Sequence, residues 1–359
     1  MPDPRARARP CDVVVVGAGF AGLACARRAA RRGLSVVVLE RQSEPGDRIH
    51  TTGILVKEAW EEWAVPSHLV RKISRVRVYT PSHRFVELER ESYFFMATDT
   101  VRLMRHLVHE TRRAGAEVRF GEKYQGVTPE GVHLSLAGSG VRCRYLVGAD
   151  GARSRVAASV GLDRNHRFLK GVEWEFEPLS GAGDCLHCFI DPECARGYIG
   201  WVVPGVRTTQ VGMAVHRKDR ADLAKFVRRI DGLFGFSGRP VLGKRGGVIP
   251  IGGLLGNFHA DRVLLIGDAA GMVSPLTAGG IHNAYRYGRL AADAVADHLE
   301  AGGPDPGEVV RRAYPRLLLK HAARWSYDRL PVARVLETGL VTRNLLRSVG
   351  ERVFFDRVR

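Results

Sequence analysis

At 359 residues, with 45% hydrophobic and 26% charged side chains, the chain has the make-up of a folded globular protein, not of a disordered or fibrous one. Its formal net charge of +17 is spread through every segment, with no zinc-finger spacing and no platform of alternating basic and aromatic residues, so no nucleic-acid partner is expected. No apolar run reaches the ~20 residues that span a bilayer, and six cysteines without a secretory leader fit a reducing cytoplasm, which leaves peripheral contact with an anionic membrane open.

A basic stretch carrying Arg5, Arg7 and Arg9 comes first. Asp12-Val-Val-Val-Val16 then reads as a strand, Gly17-Ala-Gly-Phe-Ala-Gly22 as a turn, Leu23 to Arg32 as a helix closed by Gly33, and Ser35 to Leu39 as a second strand ending at Glu40. This is the dinucleotide-binding fingerprint in its full setting. Gly17 permits the tight turn, Gly19 lets backbone approach a pyrophosphate, and Gly22 lets helix and strand pack closely. Glu40 stands where a carboxylate binds a ribose 2′-OH, which argues against a 2′-phosphate and leaves FAD or NAD.

Residues 41–53 are polar and aperiodic, hence a loop, and they carry Arg48, His50, Thr51 and Thr52; His50 is a candidate proton donor. Ile54 to Trp63 reads as a short amphipathic helix, Val76–Tyr79 and Phe85–Leu88 as strands joined by a turn, and Val101 to Ala114 as a helix ended by Gly115. Strands are expected at Glu117–Phe120, Gly131–Leu136 and Val141–Leu146. The last runs into Gly148-Ala-Asp-Gly151, where Asp150 at a strand end can reach a cofactor ribose or pyrophosphate, with Arg153 and Ser154 facing the same opening.

From Gly171 to Glu177 apolar residues alternate with glutamates, placing Val172, Trp174 and Phe176 on one face. An aromatic face of this kind makes a pocket for an apolar or aromatic substrate. Strands at 186–190 and 209–215 and a helix at 221–230 continue the region. Cys185, His187, Cys188 and Cys194 invite a zinc reading, but in a strand Cys185 and Cys188 point to opposite faces and no second CxxC exists, so no metal is expected. Val263 to Ile281 is a further strand, glycine-lined loop and helix start, with Asp268 past the strand end; a helix follows from His282 to Leu299. The tail from Glu308 is helical in pattern, arginine-rich and striped with Leu317–Leu319, Leu340, Leu345–Leu346 and Phe354–Phe355; it suits a helical cap, or a basic amphipathic surface on lipid.

GAGFAG with LER, GADGARSRV and LLIGDAAGMVSPLTAGGIHNA together resemble the three FAD-contacting motifs of the flavoprotein superfamily that contains aromatic hydroxylases, flavin halogenases and geranylgeranyl reductases. The wording of Gly267 to Ile281, and the motif Gly197-Tyr-Ile-Gly-Trp-Val-Val-Pro204, are most similar to the geranylgeranyl reductase branch. The resemblance implies an α/β fold: a Rossmann-like FAD-binding domain built from 10–75, 96–165 and 246–300, an inserted antiparallel substrate sheet from 76–95 and 166–245, and a C-terminal helical cap over 301–359. It places Asp268 on the ribityl chain and the N–H groups of Gly279 and Gly280 beside the isoalloxazine pyrimidine. Further FAD contacts are implied at Phe20, Ala21, Arg41, Arg48, Val127, Gly267, Pro275, Ala278 and Ile281.

Three departures stand out. Where branch members often carry a Cys-Gly-Gly-Gly turn, this chain has His50-Thr-Thr-Gly53; where an arginine commonly opens the helix near residue 100 it has Thr100, leaving Arg102 or Arg105 as substitutes; and Tyr198 and Trp201 are spaced one residue wider than usual. The expected activity is that of an FAD-dependent oxidoreductase delivering hydride from reduced flavin to a C=C bond of an isoprenoid or other apolar substrate, with Trp174, Tyr198 and Trp201 at the substrate. The alternative is a monooxygenase hydroxylating an aromatic or polyketide-like substrate through a flavin C4a-hydroperoxide, and a third reading is an FAD-bound, non-catalytic protein at a membrane. No second GxGxxG follows a strand, so the reductant, NAD(P)H or a small electron carrier, is expected to dock transiently.

Overall fold

The computed structural model describes residues 10–330 and 343–355; Arg5, Arg7, Arg9 and Leu340 lie outside the described residues. The valine run predicted as the first strand occupies Cys11–Val16 and is buried on both faces, with Val13, Val14 and Val15 fully inaccessible. Such a two-sided apolar strand belongs inside a parallel sheet covered by helices. It pairs in parallel with Val36–Glu40 on one side and Arg142–Gly148 on the other, and Glu117–Phe120 and Val263–Leu265 extend the parallel run at either end. The short His259–Ala260 strand pairs antiparallel with Val263–Leu265, and the hairpin of Val127–Glu130 and His133–Leu136 hangs from Arg142–Gly148, completing eight strands.

The helix Phe20–Arg31 leaves the first strand and packs against both Thr100–Arg113 and the 21-residue helix Ile281–Ala301. Small residues permit the close approach: a Cβ at Gly288 would stand 2.6 Å from the carbonyl oxygen of Ala21. At the outer end of this contact Arg28 and Arg32 reach Asp293, and Arg32 also reaches Asp297.

A second, seven-stranded sheet runs in the order Gly243–Pro250, Phe168–Phe176, Thr209–His216, Gly200–Pro204, Cys185–Phe189, Arg75–Tyr79, Phe85–Glu89. Its pairings are antiparallel except that of Cys185–Phe189 with Arg75–Tyr79, which is parallel. One face is covered by the helix Leu223–Phe234 through Phe226, Ile230 and Phe234. Ile54 to Trp63 is not one helix: Ile54–Val56 pairs with Phe95–Thr98, which also takes Val70–Ile73, and the helix is confined to Lys57–Glu62. The β-branched residues at this segment's start favour that three-stranded sheet over a helical turn.

The tail forms the helices Pro306–Ala313, Leu318–Arg329 and Arg343–Phe354, a C-terminal cap. Arg324, 1% exposed, anchors the second of these by donating to the carbonyl of Gly197 at 2.6 Å and pairing with Asp328. No described helix is long and apolar enough to cross a membrane.

Candidate active site

A cavity of about 1430 Å³ opens between the two large sheets, with the three-stranded sheet and the last two tail helices closing its sides. Its first wall is the turn after the first strand. Gly17 has φ +106°, and a Cβ there would lie 2.4 Å from the Ala149 carbonyl oxygen; a Cβ at Gly22 would lie 1.9 Å from that of Gly17. Both positions therefore need glycine, Gly22 for packing and not for cavity contact. Gly19 has nothing within 4 Å of a built Cβ and faces the cavity together with Phe20 and Ala21. The Glu40 carboxylate accepts from the Ala18 and Gln42 N–H groups, both at 2.8 Å, which fixes its orientation and leaves lone pairs for a ribose hydroxyl.

Arg41 and Arg48 are exposed residues of the rim, and Arg48 has φ +44°. Asp150 lines the wall with its carboxylate engaged by the start of the Arg155–Ser159 helix: it accepts from Ser154 Oγ at 2.7 Å and from the N–H groups of Arg155 and Val156 at 2.6 and 3.2 Å. Ser154 is buried as the helix cap and does not face the cavity, whereas Arg153 and Arg155 do.

The second wall is the glycine-lined loop. Asp268 lines the cavity with its carboxylate 3.4 Å from where a Gly280 Cβ would be. No donor among the described residues reaches that carboxylate, and burial alone pushes its pKa up to about 6. The turn that follows is closed in both directions, Ala278 N–H to the Ser274 carbonyl and Ser274 N–H to the Gly279 carbonyl, each at 3.0 Å, and it holds Ala278 at φ +52°. It delivers Gly279, Gly280 and Ile281 to the cavity at the N-terminus of the long helix, which has no side-chain cap and no acid in its first turn. Free N–H groups at such an end favour an anionic or electron-rich ligand.

Four expected FAD contacts lie elsewhere. Gly267, at φ +60°, packs on Ala21, where a Cβ would approach to 2.7 Å, and Pro275 is buried inside the turn. Arg102 turns outward, 53% exposed, to pair with Asp99 at 3.6 Å; the cavity positions on that helix are Thr100 and Met104. Val127 packs on the nucleotide-side core, and Glu122, Lys123 and Tyr124 line the wall instead.

The third wall corrects the expected substrate face. Trp174 and Phe176 point away from the cavity into the core beneath the Leu223–Phe234 helix, and the glutamate side faces inward. Glu173 is 4% exposed; its Oε2 accepts from Thr52 Oγ1 at 2.6 Å and from Trp201 Nε1 at 3.0 Å. Arg245 binds Glu175 and donates to the Thr51 carbonyl at 3.2 Å. Tyr198 and Trp201 do line the cavity: the Tyr198 hydroxyl donates to the Thr277 carbonyl, and the Trp201 ring lies against Gly212, where a Cβ would come within 2.5 Å. His50 is exposed at the rim, its Nδ1 2.6 Å from the Gly246 carbonyl oxygen, which only accepts; Nδ1 therefore carries the proton of that bond. His187 is enclosed, with Nδ1 2.9 Å from the Tyr79 hydroxyl and Nε2 3.1 Å from the Ala182 carbonyl, and no group of His, Cys, Asp or Glu among the described residues is arranged to hold a metal ion.

These walls fit FAD. Backbone at Gly17 and Gly19 would take the phosphates, the Asp268 carboxylate that no described donor reaches would accept from ribityl hydroxyls, and the uncapped helix end at Gly280 would face the electron-rich ring. The FAD binding domain family model matches residues 10–226. Fold and site define an FAD-dependent oxidoreductase, and a geranylgeranyl bacteriochlorophyll reductase-like protein of Thermoplasma acidophilum has the same fold, with TM-score 0.82 and 21% identity over 96% of this chain and 92% of that one.

Sequence relatives narrow the class. The chain is 31% identical over 327 residues to digeranylgeranylglycerophospholipid reductase 2 of Methanopyrus kandleri, covering 80% of this chain and 78% of the relative. It is 30% identical over 317 residues to the geranylgeranyl diphosphate reductase of Rhodobacter capsulatus, covering 84% and 79%. The chain belongs to the geranylgeranyl reductase family of FAD-dependent oxidoreductases.

Proposed function

We propose that the protein saturates C=C bonds of an isoprenoid chain. The observation that carries this reading is the apolar wall that shares the cavity with the Gly279–Ile281 end: Ile54, Val56, Phe95 and Leu186 from the sheets, Ile199 just before the Gly200–Pro204 strand, and Val349, Val353 and Phe354 from the last helix. A long lipid chain is buried by such a passage, and the named activities of the relatives concern geranylgeranyl lipids.

FAD, once reduced, supplies two electrons and one of the two hydrogens that an alkene takes up, the other arriving as a proton. The uncapped helix end at Gly280 stabilises negative charge beside Gly279 and Gly280, Asp268 orients hydroxyl groups, and the Tyr198–Thr277 bond holds the presenting turn in place. Gly17, Gly19, Phe20, Ala21, Glu40, Arg41, Arg48 and Asp150 form the nucleotide end, and Ala278 and Ile281 complete the ring end. The tail helices form one side of the passage. NAD(P)H or a reduced carrier docks from outside. A cytoplasmic enzyme touching anionic membrane suits a lipid substrate: Leu318, Leu319 and Trp325 are 72, 67 and 56% exposed on a helix whose Leu319 and Lys320 line the cavity.

The test is product analysis. Anaerobic incubation of the FAD-loaded, reduced protein with a geranylgeranyl lipid yields a product gaining two hydrogens. A product that appears only in air and carries one added oxygen establishes the hydroxylating reading instead; tight FAD without any product leaves a non-catalytic role.

A further inference from the structure

The buried glutamate of the third wall is unlike an ordinary structural acid. Glu173 sits in the middle of the Phe168–Phe176 strand, and the strand's alternation turns it into the cavity. Its Oε2 is occupied by two donors, Thr52 and Trp201. Its Oε1 is shut off from solvent, accepts no hydrogen bond, and lies 3.9 Å from Arg245. Arg245 is engaged elsewhere, by Glu175 and by the Thr51 carbonyl.

The charged and titratable groups around this carboxyl are few. Arg245 comes from the neighbouring Gly243–Pro250 strand, Glu175 from its own strand, and His50 from the loop, with its ring turned to the Gly246 carbonyl. Burial outweighs the attraction of Arg245 and holds the carboxyl above its ordinary range, with Glu175 adding in the same direction. With both donors on Oε2, the proton of the neutral acid belongs on Oε1. A glutamine oxygen would accept the same two bonds without an ionisable group, so packing alone does not call for an acid here.

We propose that Glu173, and not His50, is the proton donor for alkene reduction. The proposal rests on the isoprenoid reading above. In the balanced step the π bond breaks, one new C–H bond takes a hydrogen with its electron pair from reduced FAD, which is thereby oxidised, and the other takes the Glu173 proton, for which the enclosed Oε1 has to turn toward the cavity that the side chain lines. Glu173 is left as a carboxylate and regains its proton on Oε1 from solvent while the side chain is turned to the cavity, the Thr52 and Trp201 bonds remaining on Oε2. His50 in its neutral form donates at Nδ1 to Gly246 and presents Nε2 as an acceptor, which suits relay better than donation.

Two measurements on the FAD-loaded protein decide this. Infrared difference spectra between oxidised and reduced protein at neutral pH are expected to show a protonated-carboxyl band that is absent in Glu173→Gln. Anaerobic mixing of pre-reduced protein with a geranylgeranyl lipid is expected to reoxidise the wild type, while Glu173→Gln slows reoxidation roughly 100-fold or more at unchanged half-saturation and Glu173→Asp recovers part of the rate. The wild-type rate falls as pH rises through the carboxyl's titration, and that of Glu173→Gln is flat. Absence of the band, or a Glu173→Gln rate equal to wild type, overturns the donor role while leaving the isoprenoid reading in place. A wild type that shows the band yet is not reoxidised by the lipid overturns the isoprenoid reading and the donor role with it. Should Glu173→Gln fail to fold, the wild-type band and the Glu173→Asp rate and pH profile still decide.

Discussion

The hydroxyl of Tyr198 donates to the carbonyl of Thr277, while the carbonyl of Tyr198 accepts from the Tyr327 hydroxyl at 2.8 Å. One residue thereby joins the loop before the Gly200–Pro204 strand of the seven-stranded sheet, the turn that presents Gly279, and the tail cap. Burial pushes the Tyr198 hydroxyl's pKa up, so it remains a neutral donor. Tyr198→Phe keeps the ring and removes the bond to Thr277. About 1 kcal/mol is expected, read as a several-fold weaker FAD affinity in fluorescence titration with the fold intact.

Trp201 owes its place to Gly212, because a Cβ at that position would intrude to 2.5 Å from the indole. Gly212→Ala is expected to cost ~1–3 kcal/mol in denaturant unfolding and to disturb the Trp201 bond to Glu173. With Trp201→Ala as background, the same change costs less, so the double-mutant cycle shows coupling between the two sites.

Asp268 predicts a pH-dependent cofactor affinity. Without ligand its carboxyl titrates near 6, above its ordinary 3.8, so the fold holds an extra proton between those values and the cofactor-free protein loses stability as pH rises through that window. Ribityl hydroxyls donate more strongly to the ionised form, so FAD binding releases a proton below about pH 6 and tightens as pH rises to a plateau above it. Calorimetric titration in buffers of different ionisation enthalpy measures that release, and Asp268→Asn abolishes it while weakening FAD.

The nucleotide half was legible because its signal is local. Gly17, Gly22 and Glu40 act through spacing along the chain, and the backbone contacts they make follow from that spacing. The third wall was not, since alternation along residues 168–176 defines two faces without saying which one meets the cavity. Trp174 looked like the substrate face, but the Leu223–Phe234 helix brings Phe226, Ile230 and Phe234 that need an aromatic partner, and they take Trp174 and Phe176. The amphipathic pattern of that helix was the available clue. Arg102 failed for a related reason: at the first turn its backbone N–H is committed to the Asp99 cap and its guanidinium follows the cap outward.

His187 sets an acid limit on stability. Burial lowers its pKa to about 4 from 6.5, with Tyr79 donating to Nδ1 and Nε2 donating to Ala182. The unfolded chain binds the proton first, so stability falls as pH drops from about 6.5 to about 4, by at most ~3 kcal/mol. Urea midpoints across that window show the slope, and His187→Gln flattens it.

The most direct test of isoprenoid reduction is anaerobic stopped-flow mixing of the pre-reduced, FAD-loaded protein with a geranylgeranyl lipid. Isoprenoid reduction predicts return of the oxidised-flavin spectrum at a rate that saturates with lipid and needs no oxygen. Reoxidation that occurs only when oxygen is admitted, whatever the lipid concentration, would contradict it.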